Sequence, residues 1–400
     1  MPVLAVVPSL SVGVISDREV RLTQKFVEGM AQYCELWSGP VIAVIHPDYG
    51  AATTNLDERV FDLKRLPFEV RCVGLADSEI FHALNDCDVV MLGGDHRHRK
   101  LTRWCRARGK KVVFVAEYSL RTRFSIIRAE VSNPIIRLRR FVWELRQELN
   151  NRRDIRLAHA VQCNGTPTFL DYARPDRNVM RYFDNRVTQD MIPNSPSIAA
   201  RLDSLKSGRP VRLAYSGRWV AMKGVHHLVE VASWLKSRGV PFIMDIIGDG
   251  PLRPTLSDMI KQRGLATEVF LHGVMEFSTE LMPHVRDHVD LFVCCHSQGD
   301  PSCTYLETLS CGVPIIGYDN EAFRGILEIG PMGWLTPRND PGTLAARIAE
   351  LYASPEMLLA AARHAIGFAR KHTFPIEFKT RIDQVKLLFD TGYPATARQE

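Results

Sequence analysis

The stretch VRLAYSGRWVAMKGVHHLVEVASWLKSRG, residues 211–239, reads as a buried strand, a glycine-bounded turn carrying two cations, and a helix. The chain beyond it repeats that succession. FIMDIIGDG (242–250), VFLHG (269–273), LFVCC (291–295) and VPIIGY (313–318) are short apolar runs set between helical patterns. Strands that are apolar on both faces belong to parallel sheets covered by helices on either side.

The first half shows the same alternation in LAVV (4–7), VIAVI (41–45), DVVML (88–92) and KVVFV (111–115). Between the first two, RLTQKFVEGMAQYCELW (21–37) puts Leu22, Phe26, Val27, Met30 and Tyr33 on one helical face. The pattern breaks in IPNSPSIAARLDSLKSGRP (192–210), whose Pro, Ser and Gly content reads as an interdomain linker. The expected fold is therefore α/β, with two Rossmann-like doubly wound domains, 1–195 and 196–375, and a terminal segment 376–400. Two such domains face each other across a cleft at the carboxyl ends of their strands, where these sheets bind ligands.

Composition narrows the class. Of 400 residues, 46% are apolar and 24% charged, as in ordinary globular enzymes. No apolar run approaches the roughly 18 residues of a membrane span. The opening MPVLAVVPSLSVGVIS has no basic residue ahead of it and reads as a buried strand rather than a signal peptide. Nine scattered cysteines form no C-x-x-C pair and no zinc spacing, which points to a reducing, cytoplasmic compartment.

Three turns at strand ends carry candidate chemistry. SGRWVAMKG (216–224) places Arg218 and Lys223 at a helix start, where backbone N–H groups and two cations suit a diphosphate; the alternative is a plain turn with two solvated basic residues. In QGDPSCTYLETLSCGVPIIGY (298–318), Glu307 lies just inside a helix opened by Ser302, Cys303 and Thr304. Its carboxylate can accept two hydrogen bonds from a vicinal diol such as ribose, or simply complement the helix dipole. IIGDGPL (246–252) adds Gly248 and Gly250 in a tight strand-to-helix turn. Three such loops at one sheet edge raise the reading of each.

SGRWVAMKG, IIGDGPL, VFLHGVM and ETLSCGVPIIGY, in this order and at these spacings, resemble the retaining group 1 (glycogen-synthase-like) glycosyltransferases of the GT-B fold. The resemblance covers roughly 211 to 370. It implies transfer from a nucleotide sugar, UDP- or GDP-linked, with retention and with neither cofactor nor metal. It gives Arg218 and Lys223 the donor diphosphate, Glu307 the ribose, and Gly273 and Met275 the base. It also implies that FPIEFKTRIDQVKLLF (374–389) forms a last helix crossing back to the first domain. The family's pattern is Glu, seven residues, Glu; here Gly299 holds the first position and Asp300 follows, so Asp300 is the candidate contact to the donor sugar. After KVVFV the family commonly has a histidine, whereas this chain has Ala116-Glu117-Tyr118. Those departures motivate a second reading, a non-catalytic nucleotide-sugar-binding protein. A dehydrogenase is disfavoured because no G-x-G-x-x-G follows the first strand.

Other features have plainer readings. Asp86-x-Asp88 precedes its strand and so lies at the amino edge, away from the expected cleft and from any metal role. DHRHRK (95–100) follows Gly93-Gly94 at the carboxyl edge and reads either as a cleft histidine or as an exposed basic loop. Between Arg121 and Arg156 ten arginines stand against four acids, which accounts for the whole net charge of +6. In PIIRLRRFVWELRQEL (134–149), Ile135, Leu138, Phe141, Val142, Leu145 and Leu149 share one helical face. Either it packs inward as a domain helix with a solvated basic side, or 121–156 rests on an anionic membrane near a glycan or lipid-linked acceptor. Nucleic acid is disfavoured, since no reader motif accompanies the charge.

Overall fold

The structure, a computed structural model, describes residues 1–48 and 57–389, which form two compact units. One comprises Met1–Leu120, Arg139–Tyr182 and the chain from Pro375; the other comprises Arg121–Leu138 and Phe183–Phe374.

The first unit is built on ten strands: β1 (Leu4–Val7), β2 (Ser11–Val14), β3 (Glu19–Thr23), β4 (Val41–Asp48), β5 (Glu58–Asp62), β6 (Glu69–Cys72), β7 (Val89–Gly93), β8 (Lys111–Ala116), β9 (Ala160–Asn164) and β10 (Val179–Tyr182). Its parallel body runs β10-β9-β8-β7-β1-β4. The apolar runs of β1, β4 and β7 are buried because helices cover both faces, as their continuous hydrophobicity requires. One edge departs from expectation. The Pro8–Ser16 segment holds β2, and β3 pairs antiparallel with both β2 and β5. Glu19–Thr23 alternates exposed and buried residues, with Val20 and Leu22 inward, which is a strand period and not a helical one. The first helix consequently starts at Gln24, where the Thr23 hydroxyl accepts from the Phe26 amide.

The helix Phe374–Lys386 packs onto this unit through Phe378, whose ring lies 4.9 Å from that of Tyr33. Arg381 Nε donates to Gln162 Oε1 at 2.8 Å, and Gln162 Nε2 returns a bond to the Arg381 carbonyl at 3.0 Å. The long helix Pro134–Leu157 turns the other way from the inward-packing expectation. Its buried residues are Gln147, Glu148, Asp154 and Ile155, and its apolar stripe faces out. Asp86, in the Asp-x-Asp pair, is held by Arg71 at 2.6 and 2.9 Å, and Asp88 Oδ2 accepts from the Val3 amide.

The second unit is a parallel sheet of β11 (Val211–Ser216), β12 (Phe242–Ile247), β13 (Val269–Leu271), β14 (Leu291–Cys294), β15 (Ile315–Tyr318) and β16 (Gly333–Thr336). The strand order is β13-β12-β11-β14-β15-β16, so the winding reverses between β11 and β14. The helix Val225–Ser237 buries Val225, Leu228, Val229, Ala232 and Leu235 against it. The Pro/Ser/Gly-rich segment 192–210 holds a helix, Ser195–Asp203, instead of an open linker. Asn194 caps it by accepting from the Ser197 amide, and Ile198 and Leu202 enter the core. Proline in the first turn lacks only an amide that has no partner there. All nine cysteines are free. Among the described residues, no helix is long and apolar enough to cross a membrane.

Candidate active site

Because β11, β12, β13 and β14 are parallel, the loops that follow them emerge on one edge of the second unit. The winding reverses between β11 and β14, and the space outside such a reversal is the usual ligand position in these sheets. Lys223, after β11, and Asp300, after β14, meet there: Nζ lies 2.6 Å from Oδ2, and both side chains are close to buried. The loop carrying Asp300 is tightened by its amide, which donates to Gln298 Oε1 at 2.7 Å. Gln298 is fully buried, and its Nε2 has no partner among the described residues. The same holds for Nε2 of His296, whose Nδ1 faces Tyr305 Oη at 3.4 Å. Burial, and then Lys223, push the His296 pKa well down and keep the ring neutral. Two unsatisfied buried polar atoms beside an ion pair are costly unless something binds them.

Arg218 is half-buried in the turn after β11. Gly248 and Gly250 serve the turns themselves. The backbone of Gly248 is at φ +128°, and a Cβ there would lie 2.1 Å from the Gly217 carbonyl oxygen. The Trp219 amide donates to the Asp249 carbonyl at 2.8 Å, so the first two loops are laced together. At Gly299 a Cβ would meet Glu321 and Thr122 at 3.1–3.2 Å, and the Thr122 hydroxyl already donates to its carbonyl at 3.0 Å. A Cβ at this position requires these neighbours to shift by a few tenths of an ångström.

Ser302, Cys303 and Thr304 open the Cys303–Ser310 helix and are half-buried, and Cys303 Sγ points to Asp184 at 3.9 Å. Glu307 is buried and accepts from Arg186 Nε at 3.3 Å. The Arg186 guanidinium lies 3.9 Å from the centre of the Phe277 ring. On the next loop Gly273 is exposed and Met275 half-buried. That turn is anchored by His272, whose Nε2 donates to Asp245 Oδ1 at 2.7 Å, while His284 holds Oδ2 at 3.2 Å. Burial works against the Asp245 charge, but the two histidines hold its carboxyl below the usual range.

Residue spacing marks Lys223 and Glu307, and the family resemblance marks Asp300, but neither marks Gln298, His296 or Arg186. Gln298 and His296 read in sequence as ordinary loop residues, and only their burial without partners sets them apart. Arg186 lies 121 positions from Glu307, where no local pattern links them. In the first unit the two histidines of the DHRHRK loop differ in exposure. His98 is buried with Nε2 2.9 Å from His46 Nε2, and burial lowers its pKa to about 4, whereas His96 is exposed. Glu117, in the Ala116-Glu117-Tyr118 segment after β8, accepts from Asn164 Nδ2 at 2.9 Å and Tyr182 Oη at 3.0 Å.

The comparisons with known proteins agree with this architecture. HepE of Anabaena, crystallised with UDP, superposes with a TM-score of 0.67 at 14% identity, over 97% of this chain and 100% of that one. Sucrose-phosphate synthase of Thermosynechococcus elongatus gives 0.65 at 12% identity, over 97% and 99%. The chain thus has the GT-B fold, two Rossmann-like units in succession. The sequence profile of the family described as glycosyl transferases group 1 matches residues 199–368 of this chain. The alpha-D-kanosaminyltransferase of Streptomyces kanamyceticus is 32% identical over 149 residues, 37% of this chain and 38% of the relative. The GDP-mannose-dependent alpha-(1-6)-phosphatidylinositol monomannoside mannosyltransferase of Mycolicibacterium smegmatis is 29% identical over 173 residues, 41% and 43%. The aligned stretches thus span less than half the length of these curated relatives.

Proposed function

We propose that the chain transfers a sugar from a nucleotide-sugar donor to a glycan or lipid-linked acceptor, with retention and without a metal ion. The observation that carries this reading is the buried Lys223–Asp300 pair at the β11/β14 reversal, with Gln298 and His296 left unsatisfied beside it. A donor diphosphate takes the place of Asp300 on Lys223, and Arg218 supplies a second positive charge. When the sugar–oxygen bond breaks, its electron pair stays with the diphosphate, and fixed cations stabilise that charge as a metal would. Asp300, released from Lys223, accepts a hydroxyl of the donor sugar. Glu307, oriented by Arg186, accepts the ribose hydroxyls, and the Gly273–Met275 turn borders the base. UDP and GDP donors both fit this description, and nine free cysteines suit a reducing cytoplasm.

The deciding experiment is a screen of nucleotide sugars for slow hydrolysis, which needs no acceptor. Turnover of any one donor supports an enzyme; tight binding of a donor with no turnover supports the non-catalytic binding protein. Two further results are expected. EDTA leaves turnover nearly unchanged, and a loss restored by magnesium or manganese would refute the side-chain diphosphate site. Glu307→Gln weakens the nucleotide sugar and the free nucleoside diphosphate alike, by about tenfold or more, because both carry the ribose. Calorimetric titration of the two ligands checks this, and an effect on only one of them would remove the ribose role.

A further inference from the structure

The helix Pro134–Leu157 is built inside out. At 100° per residue, Ile135, Leu138, Val142, Leu145 and Leu149 fall within roughly 80° of arc and form a stripe about 21 Å long. This is the face that an ordinary domain helix buries. Here Ile135 is 71% exposed, Leu138 64% and Leu149 67%, with Val142 and Leu145 also exposed. The side turned inward is polar except for Ile155. Glu148 accepts from Tyr172 Oη at 2.9 Å and pairs with Arg152 at 2.7 Å, next to buried Gln147 and Asp154. Arg139, Arg146 and Arg153 lie along one edge of the stripe and are exposed, and Arg156 is exposed beyond its end. The acids of the helix lie off this face: Glu144 is half-buried, and Glu148 and Asp154 are buried. The outward surface therefore carries hydrocarbon and positive charge and no negative charge.

We propose that this face is a docking surface for an anionic lipid bilayer, independent of the reading of the donor site. The leucines and Ile135 enter the acyl boundary with the helix lying in the surface plane, while the arginines extend their stems along it and meet lipid phosphates. The charge argues against a second copy as the occupant. A two-fold pairing through this stripe sets the same patch against itself, and so brings arginines towards arginines with no acid to answer them.

The test is co-sedimentation of the full chain with vesicles of phosphatidylglycerol and with vesicles of phosphatidylcholine alone. Binding is expected to the first and not the second, with release at high salt. Arg139→Gln/Arg146→Gln weakens binding about thirtyfold, from the usual contribution of basic residues at an anionic surface. Leu138→Ser/Leu145→Ser/Leu149→Ser abolishes it even at low salt, while the protein stays folded, with only a small fall in melting temperature because the three side chains are exposed. Failure to bind phosphatidylglycerol vesicles, or full binding by the leucine triple variant, overturns the proposal. So does a dimer of the wild-type chain in sedimentation equilibrium that the leucine variant dissolves.

Discussion

Lys223→Ala is expected to lower turnover by a factor on the order of 100 or more, the usual cost of losing a fixed group that stabilises developing charge. Lys223 lies at the β11/β14 reversal with its ammonium 2.6 Å from Asp300, so its removal has a second consequence: a nearly buried carboxylate loses its partner. The two effects separate in the double variant Lys223→Ala/Asp300→Asn. If the loss came from an unpaired Asp300 disturbing the fold, the double variant would recover both melting temperature and affinity for the free nucleoside diphosphate, which has no sugar for Asp300 to contact. If it comes from the missing positive charge at the diphosphate, the double variant recovers melting temperature alone. Arg218→Ala changes turnover in the same direction from the half-buried side of the same turn. Near-wild-type turnover in both Lys223→Ala and Arg218→Ala would remove the diphosphate assignment altogether.

The parallel strands were legible in sequence because they are buried on both faces, and continuous apolar runs such as 41–45 and 89–92 have no other plausible use. Two kinds of information were not legible. One is edge structure. Glu19–Thr23 is too short for its alternation to outweigh the helical pattern that follows, and only pairing with β2 and β5 makes it a strand. The other is the direction in which an amphipathic pattern points. Periodicity assigned Ile135, Leu138, Phe141, Val142, Leu145 and Leu149 to one face of a helix, but it could not say whether that face meets the core. The inward contacts of Glu148 with Tyr172 and Arg152 come from residues whose own spacing carries no signal. The candidate site divides in the same way. Charged residues on short strand-end loops stand out, since a lysine five positions after an arginine needs a reason. Gln298 stands out only when its burial is known.

Asp300→Asn is expected to destabilise the ligand-free protein by about 3 kcal/mol, because a nearly buried Lys223 is left without its counter-charge. The loss is conditional. If a nucleoside diphosphate takes the place of the carboxylate, its negative charge restores what the substitution removed. The variant should therefore gain more from the ligand than the wild type does, where Asp300 must first give up Lys223. In thermal unfolding with increasing UDP or GDP, the gap between the two proteins narrows, since binding to the folded state adds stability in proportion to the logarithm of ligand concentration over Kd. The nucleotide sugar behaves differently. Its hydroxyl loses the charged acceptor that Asp300 offers, worth roughly 1.5–3 kcal/mol, so the extra affinity contributed by the sugar falls about tenfold to a hundredfold. Titration of the variant with both ligands then gives unequal results: the diphosphate binds as well as before or better, and the sugar nucleotide binds worse. A gap in stability that stays constant as ligand is added would mean that the diphosphate does not reach Lys223. Equal weakening of both ligands would mean that Asp300 serves the nucleotide or the loop, and that Gln298, already aligned by the Asp300 amide, is the residue left to hold the sugar.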